Sequence, residues 1–395
     1  MTFRSILLSA LLFFMCILSA PTACTLYAAE AASEEALQLA TPSAVLMEAS
    51  TGTVIYEKNA HESMRPASIT KIMTLILIFE ALEKGQFALS DTVTVSEHAA
   101  SMGGSQVYLE AGEEQTVEDL LKCISIASAN DACVAMAEFV AGSEEAFVQK
   151  MNEKAASLQM TDTTFVNCCG LEADGHLTSA YDIALMSREL TLMHPEIFDY
   201  CQIWMDTITH HTSRGDSEFG LTNTNKLLRY YSYATGLKTG YTRLSKYCLA
   251  ATATRDDVDL IAVVMAEETP AIRNTEAVAL LDYGFSVCRL YEDANNDTLP
   301  ALPVKKGTEN SVPITYESSF SYVLLDGSTA DSITRTLTVP DEAEAPIRQG
   351  DIIGSVVYYK DGIEIGSVPI RAAADVALLT VKDCILRCLD QFFTI

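Results

Sequence analysis

Three short motifs fall in one order along the chain: Ser68-Ile-Thr-Lys71, Ser128-Ala-Asn130 and Lys238-Thr-Gly240. Each alone is a pattern that chance produces often, but the set combines a hydroxyl nucleophile, an amine base, a second hydroxyl for proton relay and a second cation. Acyl transfer through a covalent ester needs that combination, because a neutral serine is a weak nucleophile without an adjacent base. Lys71 can serve as the base only when unprotonated, and bringing a lysine from its ordinary range to near neutrality takes about 4 kcal/mol of differential interaction. Partial burial together with the charge of Lys238 is the expected source of that energy.

The surrounding sequence predicts how these groups are held. Ser68 follows Pro66-Ala67 and opens an apolar run that predicts a helix over 68–83, ending near Gly85. Positions i and i+3 share a helix face, so the Ser68 hydroxyl and the Lys71 amine can meet. Ser128-Ala-Asn130 lies between helical stretches at 117–126 and 131–140, which makes it a tight connection with polar side chains free to enter a cleft. Lys238 sits in a run at 234–242 that precedes strand-like segments at 247–254 and 258–267. A bare Gly240 would let a substrate backbone lie close to that strand. Read singly, Ser68 is a helix cap, Ser128 a capping turn and Lys238 an exposed strand lysine; the three in series outweigh that reading.

The motifs and their flanks resemble the low-molecular-weight penicillin-binding proteins of the serine-type D-alanyl-D-alanine carboxypeptidase family (peptidase S11). The likeness runs through Arg65-Pro-Ala-Ser-Ile-Thr-Lys-Ile-Met-Thr74, Ser128-Ala-Asn-Asp-Ala-Cys-Val-Ala-Met-Ala137, Gly170-Leu-Glu-Ala-Asp-Gly-His176, Asn223-Thr-Asn-Lys-Leu-Leu228 and Gly236-Leu-Lys-Thr-Gly-Tyr-Thr242. It implies removal of the terminal D-alanine from peptidoglycan stem peptides through an acyl ester on Ser68, and inhibition by β-lactam antibiotics. Lys71 would accept the proton, Ser128 would relay it and Asn130 would orient the substrate amide. Lys238, Thr239, Gly240, Tyr241 and Thr242 would bind substrate, the N–H groups of Ser68 and Tyr241 forming the oxyanion hole. Arg273 matches the position of the family's carboxylate-binding arginine, the competing reading being a surface arginine near a helix start. The resemblance implies no cofactor and no metal, and the cysteines and histidines show no zinc-like spacing.

Two other classes compete. A class A-like β-lactamase would share Ser68, Lys71 and the Lys238 motif, but its deacylating Glu-x-x-Leu-Asn is matched only by Glu218-Phe-Gly-Leu-Thr-Asn223, one residue too long. A non-catalytic wall-binding module would not need an intact Ser68 and Lys71. A net charge of −27 excludes nucleic acid as a partner, since phosphates reward Lys and Arg.

Arg4 and the apolar run at 6–18 read as an export signal, with Ala29-Glu-Ala31 as the cleavage pattern, which places the protein on the outer face of the cytoplasmic membrane or in the wall. Beyond this leader (1–31), the predicted architecture is α+β: a β-lactamase/transpeptidase-like domain over 41–292, its antiparallel sheet built from a hairpin at 44–58 and three late strands, closed by a helix at 270–290. A small all-β domain follows over 296–372, with Asp361-Gly362 as a hairpin turn. The last segment, 375–395, carries apolar residues at helical spacing. An amphipathic helix on the membrane surface is the family-implied reading, and a helix folded back on the β domain is the alternative. Of 11 cysteines, those past the leader read as small buried apolar residues, and His210-His211 as surface loop.

Overall fold

The computed structural model describes residues 37–212, 214–325 and 328–393. The leader with Cys16 and Cys24 and the cleavage pattern at Ala31 lie outside the described residues. The chain divides into two compact units, up to Ser286 and from Val287 onward.

The first unit is organised by one antiparallel sheet. β1 (Ser43–Glu48) and β2 (Val54–Lys58) form the expected hairpin, turned at Gly52 with φ 74°. The Glu48 carboxylate fixes the turn by accepting the N–H groups of Ser50 and Thr51 at 2.9 and 2.8 Å. After the sheet starts, a 3₁₀ turn at Ala67–Thr70 leads into α1 (Lys71–Glu83), so Ser68 lies in the turn and not in the α-helix proper. A small lobe follows, in which β3 (Thr92–Thr94) pairs with β4 (Glu114–Thr116). Then come α2 (Val117–Ser125), α3 (Asn130–Ala141), α4 (Glu144–Ser157) and α5 (Ala180–Met193).

A second hairpin, β5 (Met205–Thr212) with β6 (Gly215–Thr222), precedes β7 (Ala234–Thr242), β8 (Lys246–Arg255) and β9 (Val258–Glu267). The five main strands run in the order β2-β1-β9-β8-β7, so β7 is an edge strand and its motif is free on one side. Period-two alternation serves both faces of the sheet. Val45, Met47, Ile261 and Val263 join the core with α1 and α5. On the other face, Leu46 and Leu260 close on Gly284 of α6 (Pro270–Val287), where a side chain would approach Leu260 to 2.6 Å. The predicted helix ran to 290; instead it stops at Val287, and β10 (Arg289–Asp293) begins the second unit.

α1 is buried on nearly every side, including Lys71 and Thr74. Such a helix belongs to a core and not to a surface. Cys123, Cys133, Cys168, Cys169, Cys201, Cys248 and Cys288 are buried free thiols, as read from the sequence, while Cys384 is exposed. His210 and His211 are a correction: they lie in β5, and His210 is buried with its Nδ1 2.8 Å from the Glu113 carboxylate. The polar, threonine-rich segment hides its strand character, because only Ile208 and His210 of its inward face are buried.

The second unit is all-β before its last helix. β10 pairs with β14 (Phe320–Leu324); β11 (Leu302–Lys305) lies between β12 (Ser311–Val312) and β16 (Ala343–Glu344). A four-stranded sheet has the order β13 (Ile314–Tyr316), β18 (Ile363–Ala372), β17 (Ile352–Lys360), β15 (Ile333–Thr338). The β17–β18 turn has Asp361 and Gly362 both at positive φ, 51° and 80°, as an Asp-Gly hairpin requires. α7 (Val381–Phe393) leaves Val381, Ile385, Leu386 and Leu389 exposed, so these residues are not folded back on the β strands.

Candidate active site

The three motifs converge. Lys71 Nζ, fully buried, donates to Ser68 Oγ at 3.1 Å, to Asn130 Oδ1 at 2.6 Å and to the Cys169 carbonyl at 2.7 Å. Opposite it, Lys238 Nζ donates to Ser128 Oγ at 2.8 Å and to the Thr239 carbonyl at 3.2 Å. Two serine–lysine pairs therefore face one another, with Asn130 beside Lys71. Ser68 is only half-buried, so its hydroxyl is the part of this cluster open to a substrate.

Local backbone explains why each side chain is there. Ala67, just ahead of Ser68, is buried with φ 47°, a conformation that non-glycine residues rarely hold and that turns the serine outward. Ser128 is likewise at φ 60°, in the connection between α2 and α3. Asn130 opens α3; its N–H donates to the Ser105 carbonyl and its Nδ2 to the Gly103 carbonyl, both at 2.7 Å. On the sheet edge, Thr239 donates to the Thr224 hydroxyl at 2.7 Å, and Asn225 Nδ2 braces β7 through the Gly236 carbonyl at 2.8 Å.

Gly240 has a use that the sequence did not suggest. A side chain there would meet the Pro66 carbonyl at 2.9 Å and Ile69 at 3.1 Å, so the bare α-carbon lets β7 press on the Ser68 turn. Tyr241 is 55 % exposed and stacks on Tyr247 at 4.3 Å between centroids. The Thr242 hydroxyl lies 2.8 Å from that of Ser245. Arg273 is buried at the start of α6, not exposed; its Nε donates to Asn274 Oδ1 at 2.9 Å. Glu218 sits on exposed β6, paired in register with Thr209.

The segment 167–178, whose Gly170–His176 stretch was read only as part of the family resemblance, is the positioning element of the site. Asn167 Oδ1 accepts the N–H groups of Cys169, Gly170 and Leu171 at 3.3, 2.7 and 3.1 Å, a side chain folding its own downstream backbone. Gly170, at φ 87°, lies so close to the Ser68 turn that a side chain would reach the Ala67 carbonyl at 1.8 Å. The turn is held again by His176, whose Nδ1 accepts the Val166 N–H at 3.0 Å and whose Nε2 therefore carries the hydrogen facing Thr70 Oγ1 at 2.8 Å. The Asn-x-x-Gly spacing was the available signal.

Burial, and then the charge of Lys71, push Lys238 well below the ordinary lysine range, with Arg273 adding to the effect. Burial also pushes His176 down to about 4, with the Arg65 guanidinium reinforcing it. A hydrogen bond from Cys168 draws the Cys169 thiol down to about 7 against its burial, and the Lys71 charge adds to this.

A serine–lysine pair at a helix entry, faced by a second such pair across a cleft edged by a β-strand, is the arrangement of the penicillin-recognising serine acyl enzymes. The chain belongs to the D-alanyl-D-alanine carboxypeptidase family of S11 peptidases, which it matches over residues 29–269; residues 293–378 match the C-terminal domain of penicillin-binding protein 5. It is 45% identical to the D-alanyl-D-alanine carboxypeptidase DacF of Bacillus subtilis over 84% of this chain and 85% of that one. Among solved structures it is similar to penicillin binding protein 5 from Haemophilus influenzae, with TM-score 0.74 and 28% identity over 86% of this chain and 98% of that chain. It also resembles penicillin-binding protein D2 from Listeria monocytogenes in an ampicillin-bound form, with TM-score 0.55 and 29% identity over 63% of this chain and 99% of that chain.

Proposed function

We propose that the protein is a serine-type D-Ala-D-Ala carboxypeptidase that releases the terminal D-alanine of peptidoglycan stem pentapeptides through an acyl ester on Ser68, and that β-lactams acylate the same serine. The observation that carries this reading is Lys71 Nζ at 3.1 Å from Ser68 Oγ with the Ser128–Lys238 pair facing them. In the reaction, Ser68 Oγ bonds to the penultimate D-Ala carbonyl carbon as its proton moves to Lys71. The oxyanion faces the N–H groups of Ser68 and Tyr241, where one such donor is worth about 3–4 kcal/mol. The C–N bond then breaks as Ser128 passes a proton to the leaving amine, and water hydrolyses the ester by the reverse route. Asn130 orients the amide, and Lys238, Thr239, Gly240, Tyr241 and Thr242 line the substrate strand.

Arg273 is assigned to the substrate carboxylate. Its burial without an acidic partner among the described ion pairs supports this role, since a buried cation is costly unless something completes it. The β-lactamase reading is weaker, because the Glu218 stretch lies on an exposed strand away from the bonds to Lys71. We assign residues 1–31 to an export leader, 41–292 to catalysis, 296–372 to a spacer and 375–395 to membrane-surface contact. The exposed apolar residues of α7 support the last of these, and no described helix is long and apolar enough to cross a membrane.

Incubation with a diacylated peptide ending in D-Ala-D-Ala should release free D-alanine, and mass spectrometry after benzylpenicillin should find the adduct on the peptide that contains Ser68. Ser68→Ala should lose both. An adduct that persists in Ser68→Ala, or nitrocefin turnover without D-alanine release, would overturn the assignment.

A further inference from the structure

Arg273 carries a buried charge that little around it offsets. The side chain is 5 % exposed, at the start of α6. The titratable groups that act against its burial are the Cys248 thiol and the Tyr230 and Tyr247 phenols, with no carboxylate among them. Its own charge reaches Lys238, whose pKa it helps to lower. Among the described residues the guanidinium side chain makes one hydrogen bond, from Nε to Asn274 Oδ1 at 2.9 Å. Its two terminal nitrogens have no partner there.

Asn274 is just as buried, at 6 %. Asparagine is a poor residue inside a helix, and a buried amide is costly unless it is bonded. The helix start does not depend on it. Thr269 Oγ1 accepts the Ile272 N–H at 3.2 Å, and the Thr269 carbonyl accepts the Arg273 N–H at 3.1 Å. The Asn274 side chain is therefore free to serve its neighbours. On its other side stands Tyr230: burial raises that phenol, and the Asn274 amide and then the Arg273 charge oppose the rise. Tyr230 follows the segment in which Asn225 braces β7 and Thr224 accepts from Thr239. The amide thus lies between the guanidinium and the segment that supports the substrate strand.

We infer that Asn274 is a positioning residue for the substrate's free carboxylate: by occupying Nε it fixes the plane of the Arg273 guanidinium and leaves the edge formed by the two terminal nitrogens for the two carboxylate oxygens. This rests on the carboxypeptidase reading above and on the assignment of Arg273 made there. A guanidinium is a rigid fork, so one acceptor on Nε sets where its other N–H groups point. A neutral acceptor does so without cancelling the charge. A carboxylate in its place would orient the fork as well, but would compete with the substrate for it.

The test compares kcat/KM for a diacylated peptide ending in D-Ala-D-Ala and for the same peptide amidated at its C-terminus. Wild type should favour the acid. Asn274→Ala should cut that acid-to-amide ratio about tenfold, chiefly through KM of the acid, which is the low end for a hydrogen bond to a charged group. Asn274→Asp should cut the ratio too, while remaining at least as stable in urea as Asn274→Ala. A merely structural amide predicts an unchanged ratio in Asn274→Asp, because the charged acceptor would hold the turn equally well. Adding Asn274→Ala to Arg273→Ala should leave the ratio of the single variant unchanged, since the amide acts through the guanidinium. Should Asn274→Ala fail to fold, Asn274→Ser, which also shortens the side chain, gives the same reading alone and with Arg273→Ala. A wild-type ratio in either Asn274→Ala or Asn274→Asp, or an equal fall in the Arg273→Ala background, overturns the inference alone. Absence of an acid preference in wild type overturns the Arg273 assignment and this inference with it, and absence of D-alanine release from the acid overturns the carboxypeptidase reading as well.

Discussion

Acid should loosen the Ser68 turn through His176, and the structure gives the size of the effect. The buried imidazole accepts the Val166 N–H on Nδ1, so a second ring proton would point donor at donor, in a dry site that also feels the Arg65 charge. The folded protein therefore protonates this ring only near pH 4, whereas an unfolded chain does so near its ordinary 6.5. A depressed folded-state pKa means stability that is complete above about 6.5 and is lost as pH falls towards 4. Linkage makes the loss about 2 kcal/mol by pH 5 and about 3 kcal/mol by pH 4. At about 2–4 °C per kcal/mol for a unit of this size, the pH 5 loss is a Tm drop of about 4–8 °C.

Other groups titrate in the same window, so the measurement is a difference. His176→Gln removes the titration at the cost of one of the two hydrogen bonds, a penalty that does not change with pH. The chain has one tryptophan, Trp204, placed in the first unit, so its fluorescence in urea reports that unit alone. The stability gap between wild type and His176→Gln should be largest at pH 7.5 and shrink by about 2 kcal/mol at pH 5. Because Thr70 sits between Ser68 and Lys71, the rate of penicillin acylation should fall in wild type over the same range more steeply than in the variant. A gap that stays constant from pH 7.5 to 5 would refute both the buried neutral ring and its tie to the turn.

Gly170→Ala should cost about 3 kcal/mol or more, at the upper end of overpacking, because the new methyl would meet the Ala67 carbonyl at 1.8 Å; urea unfolding by Trp204 fluorescence measures it. Arg273→Ala should slow D-alanine release by the equivalent of about 1.5–3 kcal/mol, the worth of a charged hydrogen bond, and amidating the substrate should add little further loss in that variant. Burial and the neighbouring Glu276 carboxylate raise Glu267 to about 7, so its contribution to stability is present below about 4.5 and is lost as pH rises through 7. Glu267→Gln should therefore gain stability relative to wild type between pH 5 and pH 8 in urea titrations.

The sequence carried the chemistry further than it carried the support for it. Ser68, Lys71, Ser128, Asn130 and Lys238 could be picked out because reactive residue types at short spacings leave a readable pattern, and the main strands because apolar alternation does the same. Gly240 was found for only part of its use: a glycine in a strand says that something comes close, and the structure adds the Pro66 carbonyl to the substrate backbone that was expected. The 167–178 segment acts largely through carbonyls and backbone N–H groups, which every residue has, so Asn167 and the Gly170–His176 stretch that carried the resemblance gave no hint of what they hold. His210 was placed on the surface because a polar strand with two neighbouring histidines has no apolar pattern, although Glu113 buries one of them.

The two lysines are the deepest difference between pattern and structure. By residue type they are alike, and the expectation attached a lowered pKa to Lys71; the lowering that burial and the Lys71 charge produce at Lys238 was not foreseen. The environment gives them unlike hydrogen-bond shells. Lys71 faces three oxygens, those of Ser68, Asn130 and Cys169. Lys238 faces the Ser128 hydroxyl and the carbonyl of its own neighbour, Thr239. In this dry site burial, and then the charge of Lys71, lower the pKa of Lys238 strongly. The hydroxyl beside it is Ser128, the group that must hand a proton to the leaving amine. The relay serine therefore sits beside a lysine whose pKa is lowered by burial, and the nucleophile beside one surrounded by protein oxygens, a grading of environments across the site. Such grading depends on burial and hydrogen-bond counts, which residue spacing cannot encode.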